Sequence, residues 1–390
     1  AAGPGPENPR DRGGATRRNP RVTLVAIGPG LSLWAPPPLR GGAALASLYS
    51  LRAAARCVQP ETRIQRCGLD VILPRSEPLA AVEVREGSDG SRAAWWRGVA
   101  RCHRIACPVC AAQRARSRAR RVWSAVQADV RSSPDQRWQM LTLTVPHSRT
   151  DALADTLGGL VTAWREVRRT RKVRDIFDRE VTATIRAIEV TWSPANGWHP
   201  HVHLLVRGAL DAAAVEVLRD EWCRRTGAER AIGVHASAAR RAVEVDGRYI
   251  AKLSAEVGGE GKGSADRTHW RILRRAAETA GTREGGTWRA RWAEYASATK
   301  GRRMFEADER AVRLAQSCPP PEDDVCRSWT IGVWREELRL LGRAELRDRE
   351  SYTYMVLRAS TRGDPEVEIQ REIDAILAGE DDGTALPRAG

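Results

Sequence analysis

Three runs between residues 138 and 206 alternate apolar and polar positions with period 2, and each predicts a β-strand. The first, Trp138 to Val145 (WQMLTLTV), is rich in β-forming residues and is stopped by Pro146. The second covers Thr182 to Trp192. The third, His199 to Val206 (HPHVHLLV), follows Ser193 to Gly197, a loop built of turn residues. Elsewhere the apolar positions recur at helical spacing. Ala115, Ala119, Val122, Val126 and Val130 make one stripe over residues 111–130, and much of the remaining surface there is arginine. Further helices are predicted at Asp151 to Lys172 with Thr150 as cap, at Asp211 to Thr226 capped by Asp211, at Ala238 to Val257 until Gly258 and Gly259, and at 270–299 with a break at Gly281 to Gly286. Val234 to Ala236 reads as a short strand, and Gly258 to Ser264 as a flexible stretch.

The ends of the chain are patterned differently. Residues 1–45 are rich in Gly, Pro and Arg and predict a disordered arm. Beyond 305 the expectation is a helical C-terminal region interrupted by a Pro-rich, acidic linker at Pro319 to Asp324. Within it, Trp329 to Leu341 (WTIGVWREELRLL) is amphipathic enough for a docking helix or a core helix. No internal repeat is found.

Charge narrows the class of partner. The 390 residues suffice for two or three domains, and 64 basic against 49 acidic residues leave a net charge of +15. Almost all the basic residues are arginine and only four are lysine, as in a GC-rich genome, but codon bias exchanges Lys for Arg without creating an excess over acid. The surplus points to a polyanion, and nucleic acid is favoured. The sequence has no run of about 18 apolar residues, the length a membrane span needs; the most apolar early segment, Val22 to Leu33, is broken by Gly28, Pro29 and Gly30. With no secretory signal visible, the chain reads as cytoplasmic, and its eight cysteines read as thiols or metal ligands rather than disulfides.

Candidate chemistry concentrates in three places. The third strand holds three of the seven histidines, and alternation turns His199, His201 and His203 to one face and Val202 and Leu204 to the other. Neutral imidazoles two residues apart suit a divalent metal or a hydrogen-bonded phosphate, against the plainer reading of a polar sheet face. If Trp192 pairs with Trp198 across the five-residue loop, Glu189 falls opposite His201 and His199 opposite Thr191. Two histidines and a carboxylate then form a site for Mg²⁺, Mn²⁺ or a similar cation, with His199 a reserve ligand or phosphate contact.

The second place is Cys102-x4-Cys107-x2-Cys110, a thiol knuckle with Cys67 as the best fourth ligand for structural Zn²⁺. Cys57 and His103 are runner-up ligands, and buried thiols or a redox pair are the alternatives. Cys223, Cys318 and Cys326 read as structural. The knuckle leads into a basic helix whose Arg114, Arg116, Arg118, Arg120 and Arg121 are candidates for docking on DNA phosphates. The third place is Tyr249-Ile-Ala-Lys252, where helical spacing sets Tyr249, Lys252 and Glu256 on one face. A phenol in line with a metal-polarised phosphodiester is a means of covalent phosphoryl transfer, although a lone tyrosine in an amphipathic helix is usually a core residue.

The ordered set Leu-Thr-Leu-Thr (141–144), Gly-Trp-His-Pro-His-Val-His-Leu-Leu (197–205) and Tyr-Ile-Ala-Lys (249–252) resembles the three motifs of the HUH endonucleases. More narrowly it resembles the rolling-circle replication initiators of actinobacterial plasmids and integrative elements, over about Cys67 to Arg303. The resemblance implies an α+β fold with a central antiparallel sheet and flanking helices. It implies a nicking domain at 134–304 preceded by the cysteine module at 46–133, while the arm at 1–45 and the C-terminal region at 305–390 lie outside the match. It further implies that His201 and His203 bind the catalytic metal, that Tyr249 cuts one strand at an origin to leave a 5′-phosphotyrosine and a 3′-OH primer, and that ends are rejoined at termination. Lys252 would hold the scissile phosphate or metal geometry, and Glu244, Asp246 or Glu256 would activate water at termination. Origin DNA and host replication proteins such as a helicase are the implied partners. The histidine run also resembles that of the histidine-triad nucleotide hydrolases, in which the middle histidine attacks a phosphate. A non-catalytic zinc-dependent DNA-binding protein is a second rival, and transposases and relaxases share the nicking chemistry.

Overall fold

The computed structural model describes residues 51–58, 62–68, 80–87, 92–245, 269–318, 325–333 and 363–378. Helices α1 (51–58) and α2 (Thr62–Arg66) lead to strands β1 (Ala80–Gly87) and β2 (Arg92–Arg97). Helix α3 (Pro108–Ser132) begins with proline at a position where its missing N–H costs nothing, and it carries the arginine-dense stretch. Strand β3 (Arg137–Thr144), helices α4 (Leu153–Val167) and α5 (Arg171–Glu180), and the long hairpin β4 (Val181–Ser193) and β5 (Gly197–Gly208) follow. Then come α6 (Ala212–Thr226), α7 (Arg230–Gly233), β6 (Val234–Ala236) and β7 (Arg240–Arg241). Past residue 268 lie α8 (His269–Glu278), α9 (Arg283–Thr299), β8 (Phe305–Ala307), α10 (Glu309–Ser317), β9 (Val325–Val333) and α11 (Pro365–Ala378).

Among the described residues, β6, β3, β5, β4 and β8 form the path of an antiparallel sheet, with β7 paired to the start of β3. Alternation divides its residues between two cores. On one face Leu141, Leu143, Ile188, Val190, Val202, Leu204 and Val206 are buried in the main core with Leu153, Leu157 and Leu160 of α4 and Trp222 of α6. On the other face Trp138, Met140, Ile185 and Leu205 are buried beneath α3, whose Asp129 accepts from Trp138 Nε1 at 2.9 Å and binds Arg207 through Nε and Nη2, both at 2.8 Å.

A second sheet, in the order β2, β1, β9, joins the cysteine region to the far C-terminal part of the chain. Residues 325–333 are therefore a strand, not the start of the amphipathic helix expected at Trp329 to Leu341. Trp329, Ile331 and Val333 alternate, and Gly332 is a poor helix residue, so the period-2 reading wins once β1 offers a partner. The region beyond 305 is accordingly not wholly helical: Phe305–Ala307 extends the large sheet and Val325–Val333 the small one.

Other departures have local causes. The helix expected from Ala238 is replaced at 240–244 by β7 and a 3₁₀ turn, because Arg240 and Arg241 pair with Trp138 and Arg137 at the sheet edge. The helix expected at Asp151 to Lys172 is two helices that break at Arg168–Thr170, and its first N–H groups are not capped by Thr150; Leu153 N donates instead to Glu294 Oε1 in α9 at 2.8 Å. The break expected at Gly281 to Gly286 falls at 279–282, with Thr282 Oγ1 accepting from Gly285 N to cap α9. Asp211 caps α6 through Ala214 N at 2.7 Å, as expected. Among the described residues no helix is long and apolar enough to cross a membrane.

Candidate functional site

The hairpin register decides the site. Trp192 pairs with Trp198, Thr191 with His199, Glu189 with His201 and Ala187 with His203. Gly197 closes the turn with φ +72°, and a Cβ there would lie 2.8 Å from the Arg149 carbonyl oxygen, so the position needs glycine for both conformation and space. Cross-strand partners project to one face, so the face that α3 covers at Trp138 and Leu205 becomes polar further along. There it presents Thr142, Ala187 and His203, then Thr144, Glu189 and His201, then Thr191 and His199.

Three donor atoms converge on this face. Glu189 Oε2 is 2.9 Å from His201 Nε2 and 3.0 Å from His203 Nε2, and the two nitrogens are 3.0 Å apart. The histidine side chains are 12% and 7% exposed, whereas Glu189 is 32% exposed, so the cluster opens to solvent past its carboxylate. Burial works to raise the Glu189 carboxyl, but hydrogen bonds from His201 and His203 overcome it and hold the group well below the usual carboxylate range. The donors fit a divalent ion: ligands about 2.1 Å from one ion and at right angles to one another lie about 3.0 Å apart. An imidazole that offers Nε2 to an ion carries its proton on Nδ1, and His203 Nδ1 meets Thr142 Oγ1 at 3.2 Å. The second Leu-Thr-Leu-Thr position thus orients a ligand on the neighbouring strand.

His199 stands beside this set rather than in it. Its ring lies 5.1 Å from that of His201 and 4.7 Å from that of His147, and burial, with His201 and His147 nearby, pushes its pKa down to about 4. His147 and Thr142 were missed by sequence reasoning. The signal for both is the β3–β5 pairing, which sets Thr142 against His203 and Thr144 against His201 and brings the residues just past β3 toward His199. His269, also missed, is enclosed below the hairpin and hydrogen-bonded to the Val190 backbone.

The four cysteines named from the sequence come together. Cys67 Sγ lies 3.5 Å from Cys110 Sγ and 3.7 Å from Cys107 Sγ, and Cys102 Sγ is 3.6 Å from Cys110 Sγ. Disulfide sulfurs would be about 2.05 Å apart. Tetrahedral ligands at about 2.3 Å from zinc stand about 3.8 Å apart, so these spacings suit a shared ion. All four are buried. Hydrogen bonds from Cys102, Cys107 and Cys110 lower the Cys67 thiol far below its ordinary value, which favours a thiolate there. Cys57 is exposed and His103 lies outside the set; His103 adopts φ +52° in the knuckle, where Arg104 N donates to Cys102 Sγ.

Both the Glu-His-His set and the four cysteines could bind metal. Arg114 and Arg118 of α3 are half-buried and Arg120 and Arg121 exposed; Arg116 belongs to the same helix. Glu244 is not brought to the metal set. Its carboxylate is held by Arg241 Nε and Nη2 at 2.9 and 2.8 Å, beside the beginning of β3, whereas His201 pairs with the end of that strand, seven residues and about 23 Å further on. Tyr249, Lys252, Glu256 and Asp246 lie outside the described residues.

Residues 95–209 match a family model described as a replication protein. Over 158 residues the chain is 30% identical to "Protein rep" of Streptomyces lividans, covering 33% of this chain. The chain spans about a third, 34%, of the length of that curated relative. No solved structure matches. The matched stretch contains Cys102, Cys107 and Cys110, α3, the Leu-Thr-Leu-Thr strand and the whole metal set, and these similarities bear out a likeness to replication proteins; the Tyr-Ile-Ala-Lys motif at 249–252 lies beyond the residues matched by the family model.

Proposed function

We propose that this chain, similar over its central third to replication proteins, initiates rolling-circle replication by nicking one DNA strand at an origin. The observation that carries the reading is the convergence of Glu189 Oε2, His201 Nε2 and His203 Nε2 within 3.0 Å on one open sheet face. These residues would hold Mg²⁺ or Mn²⁺, which when bound supplies Lewis-acid polarisation of a phosphodiester oxygen. Thr142 keeps the His203 ring turned to the site, and the ionised Glu189 adds the negative charge that a hard cation requires.

In this reading the Tyr249 phenol oxygen attacks phosphorus, a new P–O bond forms, and the P–O3′ bond breaks. The phenol proton is released and the departing 3′ oxygen takes up a proton, which leaves a 5′-phosphotyrosine and a 3′-OH primer. One phosphodiester replaces another, so the step runs backward to rejoin ends without an external energy source. Lys252 neutralises the phosphate under attack, and Asp246 and Glu256 are the remaining candidates for activating water at termination. The four cysteines hold Zn²⁺ as a structural element, and host proteins such as a helicase extend the process from the primer. Against the histidine-triad hydrolase reading stands the middle histidine itself: His201 Nε2, facing Glu189 and His203, is already committed to the cluster.

The test is incubation with single-stranded DNA from beside the encoding gene, with Mn²⁺, followed by denaturing electrophoresis for a covalent adduct. Wild type gives a cleaved strand and a protein–DNA adduct; Tyr249→Phe loses both, and His201→Ala loses cleavage at every Mn²⁺ concentration near the wild-type optimum. Cleavage retained by Tyr249→Phe would refute the tyrosine mechanism.

A further inference from the structure

A cleft of about 460 Å³ opens between the cysteine knuckle, the first turns of α3 and the segment that joins α9 to β8. Six arginines and one lysine line it, and no carboxylate does. The cations arrive from separate parts of the chain: Arg63 from α2, Arg114 and Arg118 one turn apart on α3, and Lys300, Arg302 and Arg303 from the α9–β8 segment. Among the described residues, Arg63, Arg114, Lys300 and Arg303 have no carboxylate partner, although acidic residues pair with arginine widely elsewhere in the fold. Like charges gathered from α2, the knuckle with Arg104, α3 and the α9–β8 segment repel one another, and a polyanion relieves that repulsion while releasing its own counterions.

The register connects this cleft to the metal set. His203 of β5 pairs with Ala187 of β4, and Ala187 pairs with Phe305 of β8, so the three side chains share one row and one face of the sheet. Neighbouring strands are about 4.8 Å apart, which puts Phe305 about 10 Å from His203. Phe305 lines the cleft, and the Arg118 guanidinium lies 5.2 Å above its ring. The cleft therefore meets the same face as Glu189, His201 and His203, about three nucleotide rises from them. The knuckle residues His103 and Arg104 form part of its wall, so the four cysteines shape it as well as stabilising the module.

We propose that this cleft holds the phosphate backbone of the DNA strand that is cut, a few nucleotides from the scissile phosphate. The inference rests on the nicking reading and assigns the route by which the strand reaches the metal set.

The test uses the full chain with Arg63, Lys300 and Arg303, all exposed, replaced together by glutamine, and Lys300→Glu as a single second variant. Binding of fluorescein-labelled (dT)30 is followed by anisotropy over a salt series, and thermal unfolding checks that each variant folds. Three lost phosphate contacts on single-stranded DNA make the slope of log K against log[salt] shallower by about 2, and one reversed contact changes it in the same direction. An unchanged slope in both variants overturns the assignment. Adduct formation at subsaturating origin DNA is expected to fall in both variants; adduct formation equal to wild type at those concentrations would also overturn the inference, by showing that the cut strand does not pass through the cleft. A wild-type chain that forms no adduct defeats the nicking reading alone, since the salt slope reports the cleft independently of cleavage.

Discussion

His269 makes the stability of the fold depend on pH in a way that can be worked out from its surroundings. Its ring is enclosed at the start of α8, 4.4 Å from the Tyr295 ring and 14° from parallel with it, and hydrogen-bonded to the Val190 backbone next to Glu189. Burial pushes its pKa from 6.5 down to about 3, against the opposing influence of Glu189 and of the Val190 hydrogen bond. The unfolded chain takes up a proton below about pH 6.5 that the folded chain refuses. The stability associated with this ring is therefore fully present above pH 6.5 and declines as pH falls toward 3. Each pH unit inside that window removes about 1.4 kcal/mol, so moving from pH 7.5 to pH 5 costs the fold about 2 kcal/mol from this group. His269→Phe retains a flat ring against Tyr295 but cannot be protonated. Urea unfolding of both chains by tryptophan fluorescence at the two pH values isolates the effect, because every other titrating group is common to them. Wild type should lose about 2 kcal/mol more than the variant over this interval. Equal losses in the two chains would show that His269 is readily protonated in the folded state and that its enclosure has been misjudged.

The other predictions concern the metal sets and the hairpin. Thr142→Val removes the hydrogen-bond acceptor for His203 Nδ1 and should weaken Mn²⁺ binding about 10- to 100-fold by calorimetry with little change in unfolding midpoint; unchanged affinity removes Thr142 from any orienting role. Cys67→Ser should abolish near-stoichiometric zinc in metal analysis of the purified chain, and zinc retained at wild-type content would eliminate Cys67 as a ligand. Asp129→Ala leaves Arg207 and Trp138 Nε1 without their buried acceptor and should lower unfolding free energy by about 3 to 5 kcal/mol; a loss under 1 kcal/mol on the same scale would mean that the pair is solvated. Gly197→Ala should cost about 1 to 3 kcal/mol, since the residue sits at φ +72° against the Arg149 carbonyl, and an unaltered urea midpoint would contradict that geometry.

The metal set was legible because the features that make it are local or nearly so. Which way His201 and His203 face follows from strand periodicity alone, and the turn-forming Ser-Pro-Ala-Asn-Gly stretch, of which only Pro194 to Asn196 remain outside the ladder, leaves one pairing that keeps Trp192 against Trp198, which carries Glu189 to His201. The cysteine spacing likewise names Cys102, Cys107 and Cys110, because ligand geometry constrains the gaps between knuckle residues, whereas Cys67 is one of three candidates for the fourth position and only the fold selects it. The sequence by itself thus determined the donor residues, the three main strands and the cationic character of the chain. Only the tertiary structure decided which distant pieces meet. No local pattern says that Glu294 caps a helix at Leu153, that Val325–Val333 completes a sheet with Ala80–Gly87, or that Thr142 faces His203. Nor does it say that Lys300 and Arg303 face Arg114 across one cleft. Those outcomes depend on strand order and on competition among partners for the same unpaired edge, and a single segment read in isolation holds only its own half of each contact.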